Sequence, residues 1–201
     1  MIDGFQHLPG YLPPDRQREW LLLVQAVLVK APFYRPSMPK SGRPFSILMS
    51  NCGDLGWVSD KVGGYRYQPM HPETGEPWPR MPQAFLDLWS KVAGFAAPPQ
   101  ACLINLYTSG TKMGSHVDAD EAEMNAPVVS VSLGDEAVFH VGGHRRGDPK
   151  ARVILRSGDV AVLGGAARRA YHGIDRIVPG SSDLLDGGGR LNLTFRRVTV
   201  L

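Results

Sequence analysis

The chain has 201 residues, enough for one domain with a sizeable core and too few for two comfortable ones. Its 43% hydrophobic and 20% charged residues are ordinary for a soluble globular protein. A formal net charge of +3 with a pI near 9.0 leans toward a polyanionic partner without deciding one. Cys52 and Cys102 stand far apart with no CxxC spacing, which argues against a disulfide framework and for a reducing compartment. Met1 to Pro14 has no basic start followed by an apolar run, so no signal peptide is expected. The longest apolar stretch, Trp20 to Val29, is broken by Gln25 and is far shorter than the ~20 residues of a membrane span. A soluble, cytoplasmic protein without membrane contact is expected.

The first predicted element is a helix from an Asp15 N-cap to about Lys30, stopped by Pro32. Pro32 to Pro44 reads as a proline-rich loop, and Phe45 to Met49 as a short strand. Asn51 to Pro82 is rich in Gly, Pro, Tyr and Trp and lacks a sustained period. A second helix is predicted from Pro82 to a stop at Gly94. Short strand-like runs follow at Cys102–Tyr107, Pro127–Leu133, Ala137–Val141, Arg152–Leu155, Asp159–Leu163 and Leu191–Phe195, separated by glycine-rich turns. The fold class is therefore mainly β with supporting helices, an α+β chain with a sandwich or barrel core.

Among six histidines the informative one is His116, in the run GSHVDAD. In extended backbone, residues i and i+2 point to one side, so His116 and Asp118 can meet on one ion. Alone, such a pair reads more simply as a surface histidine and a loop aspartate. The best third ligand is His172, after the glycine turn at 164–165. His140 and His144 form a rival pair, but two glycines between them make a shared helical face implausible. Two imidazoles and a carboxylate on one face of a metal leave three positions open, which suits Fe(II) binding a chelating co-substrate and dioxygen.

The C-terminal strand strengthens that reading. Period two places Arg190, Asn192, Thr194 and Arg196 on one face and Leu191, Leu193 and Phe195 on the other. The simpler explanation is a strand with one wet face. As a cavity wall, its two guanidiniums, about 20 Å apart along the strand, suit the two ends of a short dicarboxylate. Asn105 and Tyr107 share a face by the same parity, and arginine meets carboxylate bidentately.

These residues resemble the AlkB-type dioxygenases. The resemblance runs from about Phe45 to Val198 and rests on five blocks: Asn51–Trp57 (NCGDLGW), Glu76–Pro82 (EPWPRMP), Ala101–Tyr107 (ACLINLY), Ala126–Gly134 (APVVSVSLG) and Asn192–Arg196 (NLTFR). With the HxD pair and His172 they stand in matching order. The resemblance implies a double-stranded β-helix, or jelly-roll, core at about 100–201. It implies a nucleotide-recognition lid at about 45–82 and a helical extension at about 1–44, all in one domain. It implies Fe(II) on His116, Asp118 and His172, with 2-oxoglutarate as co-substrate. Arg190, Tyr107 and Asn192 would bind its distal carboxylate, and Arg196 and Asn105 would serve the chelating end. Trp57 would stack on a flipped base, with Tyr65 and Lys112 near its phosphates. Asp120 would read the base edge, and Arg146 would contact base or strand.

The implied activity is oxidative demethylation of 1-methyladenine and 3-methylcytosine in DNA, single strands favoured, and in RNA, by a monomer. Val117 stands where the family often has glutamine, and Leu163 where it often has tryptophan. Nine basic residues in predicted loops or strand ends, among them Lys61, Arg66, Lys112, Arg145, Arg168 and Arg169, are expected to flank the pocket mouth. The competing readings are a related dioxygenase acting on a modified tRNA base, a non-catalytic binder of alkylated DNA, and a metal-binding structural β-fold.

Overall fold

The computed structural model describes residues 2–200. Strand β1 (Phe5–Leu8) and helix α1 (Pro14–Lys30) open the chain, followed by β2 (Leu48–Gly53), β3 (Gly56–Asp60) and β4 (Gly64–Gln68). Helix α2 (Gln83–Val92) precedes β5 (Ala101–Tyr107), β6 (Met113–His116), β7 (Val128–Gly134), β8 (Glu136–Val141), β9 (Ala151–Leu155) and β10 (Val160–Leu163). A 3-10 turn at Gly165–Arg169 leads to β11 (His172–Val178), and β12 (Arg190–Arg196) ends the fold.

Six strands form one sheet in the order β1-β10-β7-β12-β5-β2, and four form a second in the order β6-β11-β8-β9. All pairings are antiparallel. This is the double-sheet jelly roll that the sequence implied. Strands β3 and β4 make a separate hairpin, which accounts for the lack of a long period between Asn51 and Pro82.

The alternation in β12 sorts its side chains between two cores. Leu191, Leu193 and Phe195 face a cluster built with Trp20, Phe85 and Trp89 of the two helices. Phe195 meets Trp20 and Phe85 edge-on, at 6.3 and 5.6 Å between ring centroids. The helices thus close the back of the large sheet. The opposite, polar face of β12 turns into the space between the sheets, where a cavity of about 570 Å3 lies.

Three expectations need correction. Helix α1 is capped by Pro13 with Pro14 in its first turn, and no side chain caps it. Proline at the first helical position supplies the fixed φ of a helix start, and its missing N–H is one that the helix leaves unpaired in any case. Asp15 lies inside the first turn and pairs with Arg18. The strand expected at Phe45–Met49 begins three residues later at Leu48, because the Phe45 N–H is taken by Pro36 O and the chain is still turning. Arg168, expected at the pocket mouth, is 3% exposed and bound within the protein. Among the described residues, no helix is long and apolar enough to cross a membrane. Cys52 and Cys102 lie opposite each other on β2 and β5, both buried and both free.

Candidate active site

Strands β6 and β11 pair so that His116 stands directly opposite His172. Gly173 permits this. A Cβ there would lie 2.6 Å from Met113 O, so any larger residue would push the two histidine strands apart. Both imidazoles are fixed through Nδ1, which donates to Gly114 O in His116 (2.9 Å) and to Ala170 O in His172 (3.0 Å). A carbonyl can only accept, so each Nδ1 carries a proton and each ring turns its Nε2 inward.

Those two Nε2 atoms each lie 3.5 Å from an oxygen of Asp118. Two imidazole nitrogens converging on a carboxylate in this way offer a donor set suited to a metal cation at their centre. The three candidate ligand atoms lie within 4.8 Å of one another. Burial opposes the Asp118 charge, but Arg196, at 2.9 Å, and the two histidines overcome it and hold the carboxyl well below its ordinary range. Burial also opposes a charged His116, yet Asp118 wins and raises that ring above its usual value. The donor set is that of a two-histidine, one-carboxylate iron centre.

The same cavity holds a second constellation. Strand β12 pairs with β5 so that Arg190 faces Tyr107 and Asn192 faces Asn105, and all four side chains line the cavity with Arg196. Gly189 sets the entry to this strand. Its φ of +94° suits glycine, and a Cβ there would sit 2.8 Å from Tyr107 O. Arg190 is 1% exposed and donates one bond, to Ser132 Oγ at 2.9 Å. Its Nε and Nη1, together with Asn105 Oδ1 and Arg196 Nε, are buried without a partner among the described residues. Burial lowers the Arg190 guanidinium to about 10, still fully charged at neutral pH. Burial likewise raises the Tyr107 phenol to about 12, so its hydroxyl keeps its proton, which it donates to the weak acceptor Met113 Sδ at 3.7 Å. A buried cation with unmet donors fits the carboxylate of an anionic co-substrate.

Not every expected residue is equally free. Asn192 donates to Ser130 Oγ and Val131 O and accepts from Thr194, so its amide braces the wall. Arg196 already bridges Asp118 and Glu121. At the mouth, Trp57, Tyr65, Lys112 and Asp120 all line the cavity. Trp57 stacks on Tyr65 at 5.4 Å and donates its indole N–H to Asp120 at 2.7 Å. Arg146 stands outside the cavity, over the Tyr171 ring at 5.2 Å and bonded to Ser115 O. Val117 and Leu163 both line the cavity wall. The rival histidines part company, since His140 pairs with Asp175 and His144 with Ala166 O.

Sequence reasoning missed two groups. Ser130 and Ser132 brace Asn192 and Arg190, and a signal existed: they are polar at every second place in an otherwise apolar strand. Glu121 had no such signal. Its side chain is fully buried and accepts from Arg196 Nη1 (2.6 Å), Arg168 Nη2 (2.8 Å) and the Tyr67 hydroxyl of the hairpin. Arg168 also donates to Asp118 O at 2.7 Å. Two arginines thus tie Glu121 to the aspartate between the histidines.

The sequence profile of the 2OG-Fe(II) oxygenase superfamily matches residues 4–196. The chain is 51% identical to the "Alpha-ketoglutarate-dependent dioxygenase AlkB homolog" of Caulobacter vibrioides, over 98% of this chain and 89% of that protein. The chain belongs to the AlkB family. It is also 44% identical to AlkB of Escherichia coli, over 87% of this chain and 81% of that one. Among solved structures, that titled "The structure of OsALKBH1" superposes with a TM-score of 0.80 at 31% identity, covering 98% of each chain. As an AlkB-family member the protein is a dioxygenase using Fe(II) and 2-oxoglutarate. The triad and the unmet donors of Arg190 suit both groups.

Proposed function

We propose that this protein removes N-linked methyl groups from nucleic-acid bases, with 1-methyladenine and 3-methylcytosine in single-stranded DNA as its main substrates. When bound, iron and 2-oxoglutarate supply the dioxygen-driven hydroxylation of the N-methyl carbon, which leaves as formaldehyde, with succinate and CO2 as co-products. His116, Asp118 and His172 hold the metal. Arg190 and Tyr107 grip the distal carboxylate, with Asn192 keeping the wall in place. Asn105 and the remaining Arg196 donor face the chelating end.

The carrying observation is one shared cavity, in which the His116–Asp118–His172 triad sits near a buried arginine with two unmet donors. A pure binding module needs neither feature, and a structural metal site needs no carboxylate receptor. The reacting base enters from the mouth. There Trp57 offers a stacking surface, worth ~1–3 kcal/mol in single-strand binders, and Asp120 is fixed beside it by the indole bond. Tyr65 and Lys112 at the rim meet backbone phosphates, and Arg146 holds the strand next to Ser115. An alkylated Watson–Crick edge pairs poorly, and a single strand has no partner to break, so extrusion costs least there. Residues 45–82 form the lid, residues 1–44 the helical extension, and the double sheet the catalytic core of one monomeric domain.

The test is formaldehyde release from methylated single-stranded DNA, duplex DNA and tRNA, with iron, 2-oxoglutarate and air. Turnover greatest on single-stranded DNA is expected. Succinate production with no formaldehyde from any of the three would overturn the demethylation reading.

A further inference from the structure

Trp57 at the cavity mouth is held by a side chain that does not line the cavity. Asn51 lies on β2 in the large sheet and is fully buried. Its amide takes both main-chain groups of Trp57: Nδ2 donates to Trp57 O at 3.2 Å, and Oδ1 accepts from Trp57 N at 3.1 Å. The Tyr34 hydroxyl donates to the same carbonyl at 3.0 Å. In a strand the N–H and C=O of one residue point to one side, so those of Trp57 point away from its partner Tyr67 on β4. Among the described residues β3 pairs with no strand but β4, and Asn51 stands where a second neighbour would be. An amide suits this place because it carries a donor and an acceptor together. Gly56 allows the approach, since a Cβ there would lie 2.8 Å from Asn51 Cβ and 2.4 Å from the Trp78 ring.

The hold differs along the hairpin. Trp57 is 9% exposed at its base, Tyr65 46% farther along and Val62 97% at the tip. The Tyr65 hydroxyl meets the weak acceptor Met38 Sδ at 3.8 Å, whereas the Trp57 backbone has three bonds to Asn51 and Tyr34. The Trp57 indole N–H in turn donates to Asp120 at 2.7 Å.

We propose that Asn51 is a positioning residue for the reacting base: it clamps the Trp57 backbone to the core sheet and so fixes the indole face on which the base stacks, with Asp120 beside it. This rests on the demethylation reading above and deepens it. Asn51 touches neither base nor metal and acts through Trp57 alone. Without the amide, the buried Trp57 N–H loses its acceptor, and the indole is no longer held in one place when the base arrives. The residues for metal and co-substrate lie on other elements and keep their own bonds.

The experiment is a double-mutant cycle of Asn51→Ala and Trp57→Ala, read as KM for a single strand carrying one 1-methyladenine and, separately, as KM for 2-oxoglutarate. Trp57→Ala keeps the clamped backbone and removes the ring that the clamp positions. In the parent, Asn51→Ala should raise the oligonucleotide KM on the order of tenfold, a share of the stacking contribution, and leave the 2-oxoglutarate KM in place. In the Trp57→Ala background it should raise the oligonucleotide KM no further. A merely structural amide gives the same rise in both backgrounds, and that result overturns the proposal. So does an unmoved oligonucleotide KM in the parent, or an equal rise in the 2-oxoglutarate KM. Should Asn51→Ala not fold, Tyr34→Phe takes its place in both backgrounds. It removes one bond to the Trp57 carbonyl, so a rise of about threefold is expected, with the same overturning results. A parent that releases no formaldehyde from the methylated strand overturns the demethylation reading and this role with it; parent turnover with the same rise in both backgrounds overturns the positioning role alone.

Discussion

Strand β12 carries an arginine at each end, and the two live in opposite circumstances. Arg196 is bound to two acids of its own chain, Asp118 at 2.9 Å and Glu121 at 2.6 Å. Arg190, on the same face, meets one serine hydroxyl and the Tyr107 ring at 5.5 Å, and two of its nitrogens bond nothing among the described residues. A buried ion left unpaired costs several kcal/mol. The Arg196 end is thus electrostatically complete before any ligand arrives. The Arg190 end carries a penalty that an incoming carboxylate relieves. On the proposed reading, one end of the strand chiefly organises the metal site, and the other receives the distal carboxylate of the co-substrate.

Four substitutions or titrations can break or sharpen this contrast. The largest effect is expected from Asp118→Ala, which removes a metal ligand and a partner of Arg196 together. Formaldehyde release should vanish, and calorimetric titration with Fe(II) under anaerobic conditions should show no specific site. Next, Glu121→Ala leaves Arg168 and Arg196 facing each other without their shared acid, and should cost about 3–5 kcal/mol in urea unfolding. Arg190→Met should behave oppositely in the ligand-free protein, with no loss of stability, while weakening 2-oxoglutarate about 100-fold, or roughly 3 kcal/mol. Equal destabilisation by Arg190→Met and Glu121→Ala would remove the distinction between the two ends.

The smallest effect is a pH dependence. Burial resists the Glu121 charge, but Arg196 outweighs it and holds the carboxyl below its ordinary 4.5. A depressed carboxyl stabilises the fold fully above that ordinary value, because the unfolded chain takes up the proton first. The contribution is lost as pH falls below 4.5 toward the folded value. Thermal unfolding followed across acid pH should show this slope in the parent and a shallower one in Glu121→Gln.

Much of this was legible in the chain. The alternation of β12 assigned Arg190 and Arg196 to one face and the helix-facing apolar residues to the other, and the HxD spacing brought His116 and Asp118 together. Strand β11 was not legible as a strand, although His172 was singled out. Asp175 and Arg176 interrupt its apolar run, and its register shifts between Ile174 and Arg176. The β3–β4 hairpin was hidden by two five-residue strands around Gly63 and Gly64, too short for a period to show.

Arg168 and Glu121 show where local reading ends. In the sequence each looks like a solvated charge, one beside another arginine and one in an acidic run. Arg168 and Glu121 lie 47 residues apart in the chain, and Arg196 lies 75 from Glu121. Period-two patterning is a property of neighbouring residues, so the sequence by itself determined which faces of the strands are polar and which ligands can converge. Charge compensation depends on distance in space. Only the tertiary structure decided that Arg196 is neutralised from within while Arg190 is not.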